Sequence, residues 1–314
     1  MAIDAGNELN WAKKPVLRSP ILVAAFEGWN DAGEAASTSV RHLVDQWNGK
    51  EFASIDPELF FDFSSTRPEV QLIDGRTRKI EWPRNTFYSA PLGTSGRDVI
   101  LLLGNEPQLR WRTFCAHIID VARTCNVEMV VTLGSLLADV PHTRPVRITG
   151  TAADPELIEE LGLQRSRYEG PTGIVGVLHD ALSRAGIKSC SLWAAVPHYL
   201  PGTPSPKAAL ALLERAASVL RIHIPTLSIE INAAQYDRQV DEVVEADEDM
   251  VSYVRRLELS HDAGDDEDDD DLDDAIDEVE EALSDAPSLR DANGEIPSGD
   301  ELAAELERYL RDQD

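Results

Sequence analysis

Four short apolar runs, at residues 21–26 (ILVAAF), 99–103 (VILLL), 129–133 (MVVTL) and 192–196 (LWAAV), constrain what this chain can fold into more than any other feature. Each is almost uninterrupted, so an extended segment built from it is apolar on both faces, which suits a strand of a parallel sheet covered on two sides. Helical spacing follows several of the runs. After the first, Ala36, Val40, Leu43, Val44 and Trp47 fall on one helical face; after the second, Trp111, Phe114, Cys115, Ile118, Ile119 and Ala122 do the same. After the fourth, Leu210, Leu213, Ala217 and Leu220 follow Ser205-Pro206, a cap and a first-turn proline. Asp154-Pro155 opens a brief helix closed near Gly162, and another runs from Gly173 to Arg184 and stops at Gly186. Strand alternating with helix predicts an α/β fold with helices on both faces of a mostly parallel sheet.

Other segments carry weaker signals. LFFDF at 59–63 and KIEWP at 79–83 read as additional strands, and one helix is expected from about Ala233 through Val240, Val243, Val244, Val251, Val254 and Leu257. The domain expectation is a body over 1–258, an acidic flexible tether with a short helix over 259–297, and an amphipathic helix over 298–314. Within the tether, HDAGDDEDDDD buries too little to fold alone. In the last segment Ser298 and Glu301 have capping-box spacing ahead of Leu302, Leu306, Tyr309 and Leu310.

Charge divides along the same line. The formal net charge is -28, and from Asp241 onward acids exceed Lys and Arg by about 25, so the rest of the chain is nearly neutral. That balance repels a phosphate backbone and excludes nucleic acid as the expected partner. No basic segment followed by an apolar one opens the sequence, and no apolar run approaches membrane-spanning length, so a cytoplasmic protein without a membrane segment is expected. Cys115, Cys125 and Cys190 are widely spaced and read as buried thiols rather than disulfides or zinc ligands.

The candidate chemistry lies in the turns after the runs. FEGWNDAGEAAS offers Glu27, Asn30 and Asp31, and GNEPQLRW offers Asn105 and Glu106 on the same expected sheet edge. Paired carboxylates there could do acid-base work. Equally, Asp31 with Glu34 can cap the following helix, and Asn105 and Glu106 can cap one that begins near Pro107. Neither stretch is a G-x-G-x-x-G or P-loop motif. Ser135 lacks the nucleophile-elbow pattern and reads as a turn residue. His198, after the fourth run, is a candidate ligand-binding side chain but has no second ligand at metal spacing; no metal and no cofactor are expected. His142, Arg144 and Arg147 form a compact basic group suited to an anion, a partner's carboxylate or the chain's own acids.

Six segments in order, ILVAAFEGWNDAGEAAS, LLLGNEPQLRW, VTLGSLLADVPHTRPVRITG, YEGPTGIVGVLHDAL, VPHYLPGTPSPKAALALLERA and PSGDELAAELERYLR, resemble the actinobacterial branch of the PAC2 family, the proteasome assembly chaperone 2-like proteins. The resemblance implies a three-layer α/β/α body of phosphorylase/hydrolase-like fold and self-association, with a trimer favoured. It implies action through protein–protein contacts as an assembly chaperone or scaffold, with proteasome subunits as partners. No catalytic set carries over. The alternative is a small-ligand binder or hydrolase/phosphorylase-like enzyme for a nucleoside-like or phosphorylated compound, with Glu27, Asn30, Asp31, Asn105, Glu106 and His198 as its site. Proteasome-binding members of the wider group end in hydrophobic-Tyr-X, a pattern that Asp312, Gln313 and Asp314 do not match.

Overall fold

The computed structural model describes residues 8–74, 76–92 and 96–263. The strands are β1 (Leu9–Trp11), β2 (Ile21–Glu27), β3 (Lys50–Ile55), β4 (Glu69–Ile73), β5 (Thr77–Glu81), β6 (Asn85–Ala90), β7 (Val99–Asn105), β8 (Met129–Ala138), β9 (Ile148–Ala152) and β10 (Lys188–Pro197). The helices are α1 (Ala35–Gln46), α2 (Trp111–Thr124), α3 (Pro155–Leu161), α4 (Ile174–Arg184), α5 (Pro206–Leu220), α6 (Leu227–Glu245) and α7 (Glu248–Ala263).

All four apolar runs lie side by side. The eight-stranded sheet has the order β1-β3-β6-β7-β2-β8-β10-β9, so β7, β2, β8 and β10 form its centre, and their three pairings are parallel. The four remaining pairings are antiparallel, which makes the sheet mixed rather than mostly parallel. The expectation of parallel pairing holds where strands are buried on both faces; the flanking strands are shorter and reach their neighbours through other connections.

The reason β2 sits at the centre is visible residue by residue. Ile21, Val23 and Ala25 enter the core on one face, Leu22, Ala24 and Phe26 the core on the other. On the first face α1 and α5 pack closely through Ala35, Ala36, Ala208 and Ala209. There Ser39 Oγ donates both to its own helix at Ala35 O, 2.7 Å, and across to Ala209 O, 3.1 Å. The second face is covered by α2 and α4, with Phe114, Ile118, Ile174 and Leu178 against Phe26 and Phe60. Burial of each large side chain contributes roughly 1.5–3 kcal/mol. Among them stands His179, whose Nδ1 and Nε2 meet Ser189 Oγ at 2.9 Å and Thr132 Oγ1 at 2.8 Å.

Three expectations change. LFFDF is not a strand: Asp56 and Pro57 start a 3-10 turn, and Phe60 and Phe61 are both buried, where a half-buried strand would alternate. The strand lies just before it, as β3, whose Lys50-Glu51 start hides its apolar half. KIEWP is a strand as expected over Lys79 to Glu81, the end of β5, which pairs with β4 in a separate two-stranded hairpin. The single helix expected from Ala233 is two, because Asp247 Oδ1 accepts from Asp249 N at 2.9 Å and Met250 N at 3.3 Å and restarts the chain as α7. This last helix runs to Ala263, into the stretch read as tether. The rest of the tether and the expected 298–314 helix lie outside the described residues. The three cysteines are buried and free, and burial pushes Cys115 and Cys190 up to about 12.

Candidate functional site

The parallel register aligns the strand ends. Glu27, last in β2, pairs with Asn105, last in β7, and Asp31 bridges to Ser135 in β8. Ser135 is therefore a strand residue and not the turn residue its sequence suggests: β8 continues to Ala138 because β10 pairs with it along its whole length. Its N–H donates to Asn30 O at 2.9 Å and its Oγ to Ala32 O at 2.8 Å, which holds the turn after β2 against β8.

Five of the six candidate residues meet on this rim. Glu27 Oε2 accepts from Asn105 Nδ2 at 3.0 Å, and its Oε1 accepts from Arg41 Nη2 at 2.7 Å. Burial raises the Glu27 pKa against the lowering effect of Arg41. Asp31 Oδ1 accepts from Ala36 N at 2.7 Å and Ser37 N at 3.2 Å, so this carboxylate does cap α1, from five residues upstream and without the partnership with Glu34 that the sequence suggests. Burial raises its pKa as well.

Glu106 does not cap the helix that follows it. Residues 107–110 are non-helical and α2 begins at Trp111, after Arg110 in a left-handed conformation, φ 53°. Glu106 Oε1 instead accepts from Ile174 N at 2.7 Å, the first residue of α4, and from Asn30 Nδ2 at 2.8 Å. Gly173 makes this possible: a Cβ there would lie 2.4 Å from Asn30 Nδ2. Thus Gly173 permits close packing of the turn after β2 against the start of α4.

His198 stands apart, beyond β8. Its Nδ1 lies 2.7 Å from Asp139 Oδ1 and its Nε2 3.3 Å from Tyr253 Oη, and its ring packs edge-on against Tyr199 and Tyr253. It belongs to the seam that fixes α6 and α7 to the body. In the same seam Arg144 pairs with Glu258 at 3.0 Å and Asp262 at 2.6 Å, and His142 Nε2 lies 3.1 Å from Asp241. Of the roles open to the basic group, Arg144 and His142 meet the chain's own acids.

Two contributors to the rim carried no sequence signal. Arg41 is an exposed helix residue, and Asn85, wholly buried in β6, donates Nδ2 to Asn105 O at 3.1 Å. Both act across long sequence separations. Chemically, Glu27, Asp31 and Glu106 each hold donors of the chain itself, helix N–H groups, amides and a guanidinium, while Asp31 Oδ2 and Asn85 Oδ1 are buried without a hydrogen-bond partner. Trp29 and Leu109, 48% and 49% exposed, present apolar surface beside it. Among the described residues no group of three or more His, Cys, Asp or Glu is placed to hold a metal, and no helix is long and apolar enough to cross a membrane.

The comparisons with known proteins agree with one another. The PAC2 family model matches residues 25–244. A PAC2 family protein from Streptomyces avermitilis is 46% identical, with a TM-score of 0.70 over 75% of this chain and 99% of its own. A proteasome-assembly chaperone homologue from Mycobacterium tuberculosis is 44% identical, with a TM-score of 0.69 over 74% of this chain and 99% of its own. An archaeal proteasome activator from Pyrococcus furiosus shares the fold at 17% identity, with a TM-score of 0.61 over 75% of this chain and 97% of its own. No curated protein matches. With a family model spanning the sheet from β2 to α6 and relatives above 40% identity aligned over nearly their whole length, this chain belongs to the PAC2 family.

Proposed function

We propose that this chain acts in the cytoplasm through protein–protein contacts, as an assembly chaperone or scaffold whose client is a proteasome subunit, and that it works as a homo-oligomer. The observation that carries the reading is the closure of the rim: Glu27, Asp31 and Glu106 hold Arg41, the α1 N–H groups and Ile174 N, while Trp29 and Leu109 stay exposed. A site for a small molecule aims several polar groups into a concave pocket, whereas a rim whose carboxylates each hold donors of the chain itself, beside exposed aromatic and aliphatic side chains, suits contact with a protein. The M. tuberculosis relative, described as a proteasome-assembly chaperone homologue, supports the choice of client.

The test is co-elution of the purified chain with an actinobacterial proteasome α subunit, read by native mass spectrometry, with Trp29→Ala/Leu109→Ala as the comparison. A defined complex that the double substitution weakens is expected. Absence of a complex at micromolar concentrations, or saturable stabilisation by a nucleoside or phosphorylated compound instead, would overturn the reading.

A further inference from the structure

The hairpin of β4 and β5 has the pattern of a half-covered sheet and no cover. Its register pairs Val70 with Ile80 and Leu72 with Arg78, so Val70, Leu72 and Ile80 share one face, while the other face is mainly polar. The two strands pair with no other described strand, and Val70, Leu72 and Ile80 are 59%, 62% and 52% exposed. A two-stranded hairpin is marginal in water unless an apolar face packs on something, and an exposed apolar patch marks a contact surface. The base of the hairpin is fixed to the body: the Trp82 ring packs edge-on against Phe63, with centroids 4.8 Å apart, and Thr66 Oγ1 accepts from Gln108 Nε2 at 2.8 Å.

The charge of the hairpin is opposite to that of the chain. Residues 67–84 carry five Lys or Arg and three acids, in a chain of net -28. Lys79 pairs with Glu81 and Arg84 with Glu51, whereas Arg67, Arg76 and Arg78 hold no ion pair among the described residues. Arg78 shares the apolar face, opposite Leu72. A surface that complements this face is therefore acidic and apolar.

The same chain carries such a surface at the elbow between α6 and α7. Six of the nine residues from Asp241 to Asp249 are acids, all exposed, and beside them Val243 and Val251 are 65% and 43% exposed. Asp241 meets His142 and Asp247 starts α7, while Glu242, Glu245, Glu248 and Asp249 hold no Lys or Arg among the described residues. Hairpin and elbow are both exposed in the single chain, so they do not cover each other within it.

We propose that the hairpin of one protomer packs its apolar, basic face on the α6–α7 elbow of a second copy, head to tail, with Arg67, Arg76 and Arg78 meeting the elbow's acids. Such a heterologous contact, repeated about a rotation axis, closes a ring. The inference rests on the homo-oligomer part of the reading above and names its contact.

Sedimentation equilibrium of the full chain at micromolar concentrations tests it. The wild type should sediment as an oligomer that weakens as salt is raised. Leu72→Asp/Ile80→Asp and Val243→Arg/Val251→Arg should each sediment as a monomer, with far-UV circular dichroism confirming that both fold. Mixed in equal amounts the two variants should form a dimer, because together they retain one intact hairpin and one intact elbow. A monomeric wild type, either variant at the wild-type mass, or a mixture that stays monomeric overturns the proposal. Hydrogen exchange of the wild type gives a readout that needs no variant. Protection over residues 69–81 and 241–251 should rise with protein concentration, and a rise confined to other segments overturns the assignment. A monomeric wild type that still co-elutes with the α subunit sinks this inference and leaves the choice of client standing; an assembled wild type without that client does the reverse.

Discussion

Asp31 shows how a single carboxylate is committed by its surroundings. It supplies two α1 N–H groups with an acceptor while burial disfavours its charge, so a neutral acceptor should replace it well. Asp31→Ala should cost about 1–2 kcal/mol, and Asp31→Asn distinctly less, measured by urea unfolding. His179 gives the pH dependence its sign. Burial lowers its pKa to about 4, below the ordinary value of 6.5, so the unfolded chain takes up a proton that the folded chain refuses. Its contribution to stability is complete above pH 6.5, falls by roughly 1.4 kcal/mol per pH unit below that, and levels off once the folded-state pKa is reached. Between about pH 7.5 and about pH 5.5 the wild type should therefore lose more stability than His179→Gln; an equal loss would remove His179 as the cause. Gly173→Ala places a methyl group on Asn30 and should destabilise by about 1–3 kcal/mol, with Ile174 N losing its acceptor. Of these roles only the Asp31 cap was written locally. Asp31 five residues before Ala36 reads as a cap, but Glu106 reads as the cap of its own following segment, and it serves a helix 68 positions away.

At the scale of elements, α7 is held chiefly at its surface. Val254 and Leu257 are its buried residues, and Arg144 links to it through Glu258 and Asp262. Arg144→Ala should raise hydrogen exchange in residues 248–263 while β2, β7 and β8 remain as protected as before, because exposed ion pairs contribute little to global stability but do oppose local opening. Equal exchange in both proteins would show that the apolar contacts alone hold α7. The boundary before this helix was hidden in the sequence by the apolar positions from Val240 to Leu257, whose spacing allows one helix. The side chain of Asp247, accepting from two N–H groups, divides it. LFFDF misled for the opposite reason: aromatic content favours strands, yet Phe60 gives its carbonyl to Gln108 and Leu109 in another loop and packs edge-on against Phe114 and His117.

For the whole molecule, net charge decides which partners can approach. At -28 the chain should show no retardation of duplex DNA in a gel-shift assay at physiological salt, and measurable binding would require a basic surface that the composition does not supply. The alternation of elements and the four central strands were legible because burial acts locally: a strand covered on both faces must be apolar at successive positions, and a helix covered on one face repeats its apolar residues every three or four. The antiparallel flanks of the sheet, the separate β4–β5 hairpin, the closure of the rim by Arg41, Asn85 and Ile174, and the separation of His198 from the other candidates were decided by the tertiary structure. The physical reason is that apolar periodicity records how much water each face loses. The partner of a given N–H, carboxylate or amide is set by which segments packing brings within 3 Å, and that is a property of no single segment.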